Sequence, residues 1–130
     1  MASDPKKVLI VDDNLALARV IQFAMEEAGF ETVTAKNARI AYELAQETKF
    51  DLVITDQQMP EMTGLELCNH LRSMPEYVDC PINLLTAKGL ELELPRLQSE
   101  LGINAVFSKP FSPSALVKTV LDQLATPIPS

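Results

Sequence analysis

The chain has 130 residues, 47% of them apolar and 22% charged, which suits one soluble domain over 1–130 and leaves little room for a second. Eleven Lys plus Arg against eighteen Asp plus Glu give a net charge of -7, a field that repels nucleic acid and anionic lipid, and no basic patch overrides it. No apolar run approaches the roughly 20 residues of a membrane span, and the opening Met1-Ala2-Ser3-Asp4-Pro5-Lys6-Lys7 lacks the charged-then-apolar order of a signal peptide, so a cytoplasmic location away from the membrane is expected.

Residues 1–5 read as an N-terminal tail, and a regular alternation of strand-like and helix-like segments follows, the mark of an α/β fold with a parallel sheet. Val8 to Val11 is a continuous apolar run, as expected of a strand buried on both faces, and it ends in Asp12-Asp13. Leu17, Val20, Ile21, Ala24, Met25 and Ala28 then recur at helical spacing, with Gly29 placed as a C-terminal cap. Glu31 to Ala35 predicts a second strand, and Ile40, Ala41, Leu44 and Ala45 the buried stripe of a second helix. The third strand, Asp51 to Thr55, ends at Asp56, and the loop after it is punctuated by Pro60 and Gly64. A third helix is predicted from about Gly64 to Met74 with Leu67, Cys68 and Leu71 inward.

The fourth strand, Ile82 to Leu85, ends at Thr86. Proline is tolerated in the first turn of a helix and costs about 3 kcal/mol in its interior. Pro95 therefore places the start of the fourth helix near Leu94 and leaves Ala87 to Glu93 as a long loop. Ala105 to Ser108 is the fifth strand, closed by Lys109-Pro110-Phe111. Ser112 as N-cap and Pro113 at the first position open the last helix, with Leu116, Val117, Val120, Leu121 and Leu124 on one face. Residues 126–130 read as a tail or the beginning of a linker.

One histidine, His70, and two cysteines, Cys68 and Cys80, exclude most nucleophilic triads, multi-histidine metal sites and a disulfide scaffold. The chemistry is left to carboxylates, hydroxyls and lysines. In a parallel α/β sheet with right-handed crossovers the carboxyl ends of all strands share one edge, and ligands bind outside it. That edge collects Asp12, Asp13, Asp56, Thr86 and Lys109, with Gln58, Glu61 and Lys88 in loops above it. Each has an ordinary structural reading when taken singly: an Asp pair after a strand is commonly a turn and cap signal, and a lysine at a strand end is commonly solvated. The coincidence carries the argument, because four of five strands end in parts of one site.

Three carboxylates brought together repel one another, and a cation is the natural remedy. Mg²⁺ fits best: it takes about six oxygens, keeps several waters and is bound through one or two carboxylates plus a phosphate. A carboxylate can also attack phosphorus, and Asp56, alone at its strand end, is the best nucleophile among the three. Lys109 and the Thr86 hydroxyl would meet the phosphoryl oxygens.

These motifs give the sequence a resemblance to the receiver domains of bacterial response regulators, the CheY-like family, over essentially its whole length. They are Val11-Asp12-Asp13-Asn14, Asp56-Gln57-Gln58-Met59-Pro60 with Met62 and Gly64, Thr86-Ala87, and Lys109-Pro110-Phe111. The resemblance implies a doubly wound (βα)5 flavodoxin-like three-layer sandwich with strand order 2-1-3-4-5. It implies that Asp56 accepts a phosphoryl group from a phosphohistidine on a sensor histidine kinase or phosphotransfer protein. It also implies that Asp13, Asp56 and the Gln58 main-chain carbonyl bind Mg²⁺ with Asp12 assisting through water, and that Thr86 and Lys109 bind the phosphoryl group. Such a module catalyses its own modification rather than turning over a substrate, and passes the signal to an effector protein or a fused output domain.

The family couples its threonine to an aromatic residue three places before the lysine, a place held here by Val106; Phe107 points to the other face of the strand. Gln58 and Lys88 flank the side from which water would attack, and both are expected to slow hydrolysis, since neither is a strong base. Cys68, Met59 and Met62 are expected to pack, and His70 to meet solvent. Two other classes stand beside this reading: a receiver-fold scaffold read without phosphorylation, and a Mg²⁺-dependent phosphatase. The latter commonly needs an acid two places after its nucleophile, where this chain has Gln58.

Overall fold

The computed structural model describes residues 5–87 and 93–125. Five strands and five helices alternate along the chain: β1 (Lys7–Val11), α1 (Leu15–Glu27), β2 (Glu31–Ala35), α2 (Ala38–Glu47), β3 (Leu52–Asp56), α3 (Gly64–Arg72), β4 (Ile82–Thr86), α4 (Leu94–Leu101), β5 (Ala105–Ser108) and α5 (Pro113–Leu124). A short 3-10 turn, Pro75–Tyr77, lies between α3 and β4. The strands form one parallel sheet in the order β2-β1-β3-β4-β5.

Period-two alternation along the strands builds a core on each side of the sheet. Leu9, Val11, Val53, Ile82 and Leu84 face α2, α3 and α4, which contribute Ala41, Leu67, Leu71 and Leu97. Val8, Ile10, Leu52, Ile54 and Leu85 face α1 and α5, which contribute Ile21, Met25, Leu116 and Val120. Both faces are covered, so β1 and β3 are apolar almost throughout.

Local signals set the helix ends. Asn14, Asn37, Thr63 and Ser112 cap the starts of α1, α2, α3 and α5 with their side chains, and Thr63 forms a reciprocal capping box with Glu66. Gly29, at φ 98°, follows the last residues of α1, and the Phe30 N–H reaches back to the Met25 carbonyl at 3.1 Å. This left-handed close suits glycine, which carries no Cβ. Pro95 stands in the first turn of α4, as its fixed φ requires.

The differences from the sequence-based expectations are local. The third helix stops at Arg72, two residues before the predicted end, because Ser73 and Met74 turn back onto its last carbonyls. Val20 and Leu121, assigned to buried stripes, are 47% and 46% exposed, since only a narrow strip of α1 and α5 fits against the sheet. Among the described residues no helix is long and apolar enough to cross a membrane. The expected tail over 126–130, residues 1–4 of the N-terminal tail and residues 88–92 of the long loop lie outside the described residues.

Two polar devices tie the layers together. Asn83, fully buried on β4, exchanges hydrogen bonds of 2.8 Å in both directions with the Gln123 side-chain amide of α5. Tyr77, also fully buried, accepts from the Phe50 N–H at 3.1 Å and shares its own proton between the carbonyls of Ala45 and Thr48, at 3.0 and 2.9 Å. Cys68 and Cys80 are both buried and unpaired, and burial pushes each thiol up to about 11. Packing is the role this environment gives them.

Tyr77→Phe keeps the ring and removes only the hydroxyl, leaving the buried Phe50 N–H without its acceptor. An unsatisfied buried donor costs about 1–3 kcal/mol, so urea unfolding followed by circular dichroism should show a loss of that size at an unchanged m-value. Wild-type stability in the variant would mean that the hydroxyl is not the clasp described.

Candidate functional site

The register of the sheet assembles the site. Val11 lies beside Thr55 and Ile10 beside Ile54, so one further step along each chain brings Asp12 next to Asp56. Thr86 ends β4 beside Ser108 of β5, and the Lys109 N–H donates to the Thr86 carbonyl at 2.8 Å, so Lys109 follows at the same edge. This is the edge where β2 and β3 leave β1 in opposite directions, and such a divergence opens a crevice above the strand ends.

Asp12 and Asp56 are each 2% exposed, whereas Asp13 is open to solvent. The three carboxyl groups each place an oxygen within 4.8 Å of the other two. Lys109 Nζ lies 2.9 Å from Asp56 Oδ1 and 3.8 Å from Asp12 Oδ2. The contact is charge against charge, without the angles of a hydrogen bond, and neither oxygen has a hydrogen-bond donor among the described residues. Burial pushes the Asp12 carboxyl above its ordinary value; the Asn14 N–H, bound to Oδ1 at 2.8 Å, and the Lys109 charge oppose this, while Asp56 and Asp13 add to it. One ammonium thus faces two buried carboxylates, with unused acceptor oxygens between them. Hard oxygens of this kind suit a hard divalent cation.

The loop after β3 is held by its own backbone and side chains. The Gln57 N–H continues the ladder to the Leu85 carbonyl at 2.7 Å, its carbonyl accepts from the Gly64 N–H at 3.2 Å, and its side-chain Oε1 accepts from the Leu65 N–H at 2.8 Å. Gly64 opens α3 directly against β3: a Cβ there would collide with the Asp56 carbonyl oxygen and lie 3.0 Å from Leu84 Cδ1. Glycine is the residue that allows this approach. Met59 is buried and Met62 packs against the core. Glu61 takes a left-handed conformation at φ 72° and is exposed.

The structure therefore brings together Asp12, Asp13, Asp56 and Lys109. Thr86 stands at the end of the neighbouring strand, fully buried, with its Oγ1 accepting from Gln58 Nε2 at 3.2 Å. Lys88 lies outside the described residues. Val106 packs with the α2–α3–α4 core and Phe107 with the α1–α5 core, so the two residues serve opposite faces. His70 is exposed on α3, its ring 5.6 Å from that of Tyr42. Sequence reasoning missed two contacts. The Gln57 side chain braces the start of α3, and the Gln58 side chain reaches the end of β4; neither has a periodic signature.

The sequence profile of the response regulator receiver domain matches residues 8–121. The chain belongs to that family. The alkaline phosphatase synthesis transcriptional regulatory protein PhoP of Bacillus subtilis is 35% identical over 128 residues, covering 96% of this chain and 52% of the relative. The phosphate regulon transcriptional regulatory protein PhoB of Pseudomonas aeruginosa is 39% identical over 113 residues, covering 86% of this chain and 48% of the relative. The chain thus spans about half the length of the curated relatives it matches. Among solved structures, the chemotaxis protein CheY4 of Vibrio cholerae superposes with a TM-score of 0.86 at 34% identity, covering 93% of this chain and all of the other. The receiver domain is a signalling module of two-component systems, and the strand order expected from the sequence is the one found.

The raised Asp12 carboxyl sets a pH dependence for this receiver domain. A carboxyl whose pKa rises on folding binds more protons in the native state, so it destabilises at high pH, and the penalty vanishes below the unfolded value. Asp12→Asn should therefore be more stable than wild type at pH 7 in metal-free buffer, with the advantage shrinking as the pH falls toward the ordinary 3.8. Urea midpoints at several pH values read this, and a variant less stable at pH 7 would contradict it.

Proposed function

We propose that this receiver domain accepts a phosphoryl group on Asp56 from a phosphohistidine of a sensor histidine kinase or phosphotransfer protein, and that the modification changes its affinity for a partner. The supporting observation is the edge site itself: two buried carboxylates, Asp12 and Asp56, each with one oxygen that no hydrogen bond among the described residues satisfies, and Lys109 Nζ 2.9 Å from Asp56 Oδ1. Such an arrangement is costly for stability alone, because desolvating two like charges outweighs one shared counter-ion. It is productive where further charge has to be managed.

In the transfer, an Asp56 oxygen forms the new O–P bond while the P–N bond of the donor breaks. The imidazole keeps that electron pair and the aspartyl phosphate carries the phosphoryl group away. Asp12, Asp13 and Asp56 with the Gln58 main-chain carbonyl would hold Mg²⁺, which supplies positive charge to the phosphoryl oxygens as negative charge builds on them. Lys109 moves from pairing with a carboxylate to pairing with a phosphoryl oxygen, and its compact ammonium suits that exchange. Thr86 brings a hydroxyl donor from the neighbouring strand end.

The residues over 1–130 form a single receiver unit, and the output lies in an effector protein or in a fused domain, as the half-length match to regulatory proteins suggests. A net charge of -7 leaves direct nucleic-acid binding to that output, and the cytoplasm is the compartment where such kinases deliver phosphoryl groups. Turnover of a separate phosphoester has no support in the loop, because the Gln58 carboxamide two places after Asp56 cannot serve as a general acid.

Intact mass after incubation with a small phosphoryl donor and Mg²⁺ tests the reading. One phosphoryl group should appear on the wild type, and none on Asp56→Asn or after chelation of the metal. Unmodified wild type at excess donor would remove the phosphoacceptor role and leave a scaffold read without phosphorylation.

A further inference from the structure

Gln58 stands in an exposed loop, yet both ends of its carboxamide are held. Oε1 accepts from the Ala87 N–H at 3.1 Å, and Nε2 donates to Thr86 Oγ1 at 3.2 Å. The orientation is dictated by chemistry: a main-chain N–H only donates, so it must face the amide oxygen, which turns the nitrogen toward the hydroxyl, a group able to accept. The bridge spans 28 and 29 residues of sequence, from the loop after β3 to the end of β4 and the first residue beyond it. It crosses from the loop that follows Asp56 to the end of β4.

A carboxamide oxygen and a phosphoryl oxygen are both acceptors, and the Ala87 N–H has one hydrogen to give. The Thr86 hydroxyl is fully buried, so its partners come from within the site. A phosphoryl group on Asp56 that accepts from the Ala87 N–H therefore competes with Gln58 Oε1 for that one hydrogen, while the Thr86 hydroxyl, which accepts from Gln58 Nε2, keeps its own proton to donate.

We propose that the Gln58 side chain is a latch: in the unphosphorylated receiver its carboxamide oxygen holds the Ala87 N–H while its nitrogen rests on the Thr86 hydroxyl, and a phosphoryl group on Asp56 must displace that oxygen to recruit the Ala87 N–H. Gln58 is thus a positioning residue, acting on the start of the loop after β4 through Thr86 and Ala87. Release of the latch couples the chemistry at β3 to the segment leading into α4 without requiring an aromatic side chain at position 106. This inference rests on Asp56 as the phosphoacceptor. It goes further by naming the groups that are exchanged.

Three proteins test it: wild type, Gln58→Met, which keeps the side-chain length and loses both hydrogen bonds, and Gln58→Ala, which also loses the bulk. The side chain is at the surface, so both variants should fold, as circular dichroism will show. The readouts are the ¹H–¹⁵N resonance of Ala87 without ligand, and the affinity for beryllofluoride in the presence of Mg²⁺. Each neutral hydrogen bond shifts an equilibrium by about two- to tenfold. Both variants should therefore move the Ala87 resonance and bind beryllofluoride about three- to tenfold more tightly than wild type. Tightening in Gln58→Ala alone would assign the effect to bulk and overturn the latch. An unmoved Ala87 resonance in both variants, or equal affinities in all three proteins, would overturn it while leaving the phosphoacceptor reading in place. Absence of beryllofluoride binding in all three would remove that reading and the latch with it.

Discussion

Two carboxylates buried side by side share one ammonium at the carboxyl edge of β1 and β3, and this imbalance of charge is the constraint around which the rest of the molecule is arranged. It exists because the parallel register sets Asp12 beside Asp56. Apolar layers on both faces of the strands keep water from dispersing the charge. The sheet contributes rigidity, so that oxygens with no hydrogen-bond donor among the described residues are held in place, as the proposed cation and phosphoryl chemistry requires. Stability is given up locally at this edge, and buried polar clasps such as Asn83 with Gln123 and the Tyr77 hydroxyl satisfy their own groups elsewhere.

The same alternation that builds the cores decides which side chains can report on the site. Val106 and Phe107 are neighbours in sequence, but they belong to different layers, one packed with α4 and the other with α1 and α5. The aromatic ring of Phe107 meets Phe111 with centroids 6.3 Å apart and has no access to the face that Val106 occupies. On the proposed reading, a link from the edge toward α4 would use main chain and short polar contacts rather than an aromatic ring at position 106. Gln58, Thr86 and Ala87 form a contact of that kind.

Much of this was legible in the sequence because strand ends in a parallel sheet converge by topology. Once five strands were recognised, the placement of Asp12, Asp13, Asp56, Thr86 and Lys109 on one edge followed from chain direction alone. Pro95 and the Ser112-Pro113 pair located two helix starts through fixed backbone chemistry. The exposed positions of Val20 and Leu121 were not legible, since helical spacing marks a stripe and says nothing about how much of it the sheet can cover. A three-residue turn such as Pro75–Tyr77 has no period to detect, and the bridge made by Gln58 depends on the reach of a side chain across the fold.

Arg72, the last residue of α3, binds the far end of α4: its guanidinium donates at 2.8 Å to both the Leu101 and Gly102 carbonyls, and also to the carbonyls of Tyr77 and Cys80. The opposite end of α4 starts at Leu94, and Glu93 before it gives no side-chain cap. The carboxyl end is thus tied to α3 through main-chain acceptors, whereas the described contacts of the amino end are Leu94 packed on the core and Glu93 paired with Arg96. Eight residues at 1.5 Å each set these two anchorages about 12 Å apart, so one short helix carries both kinds of support.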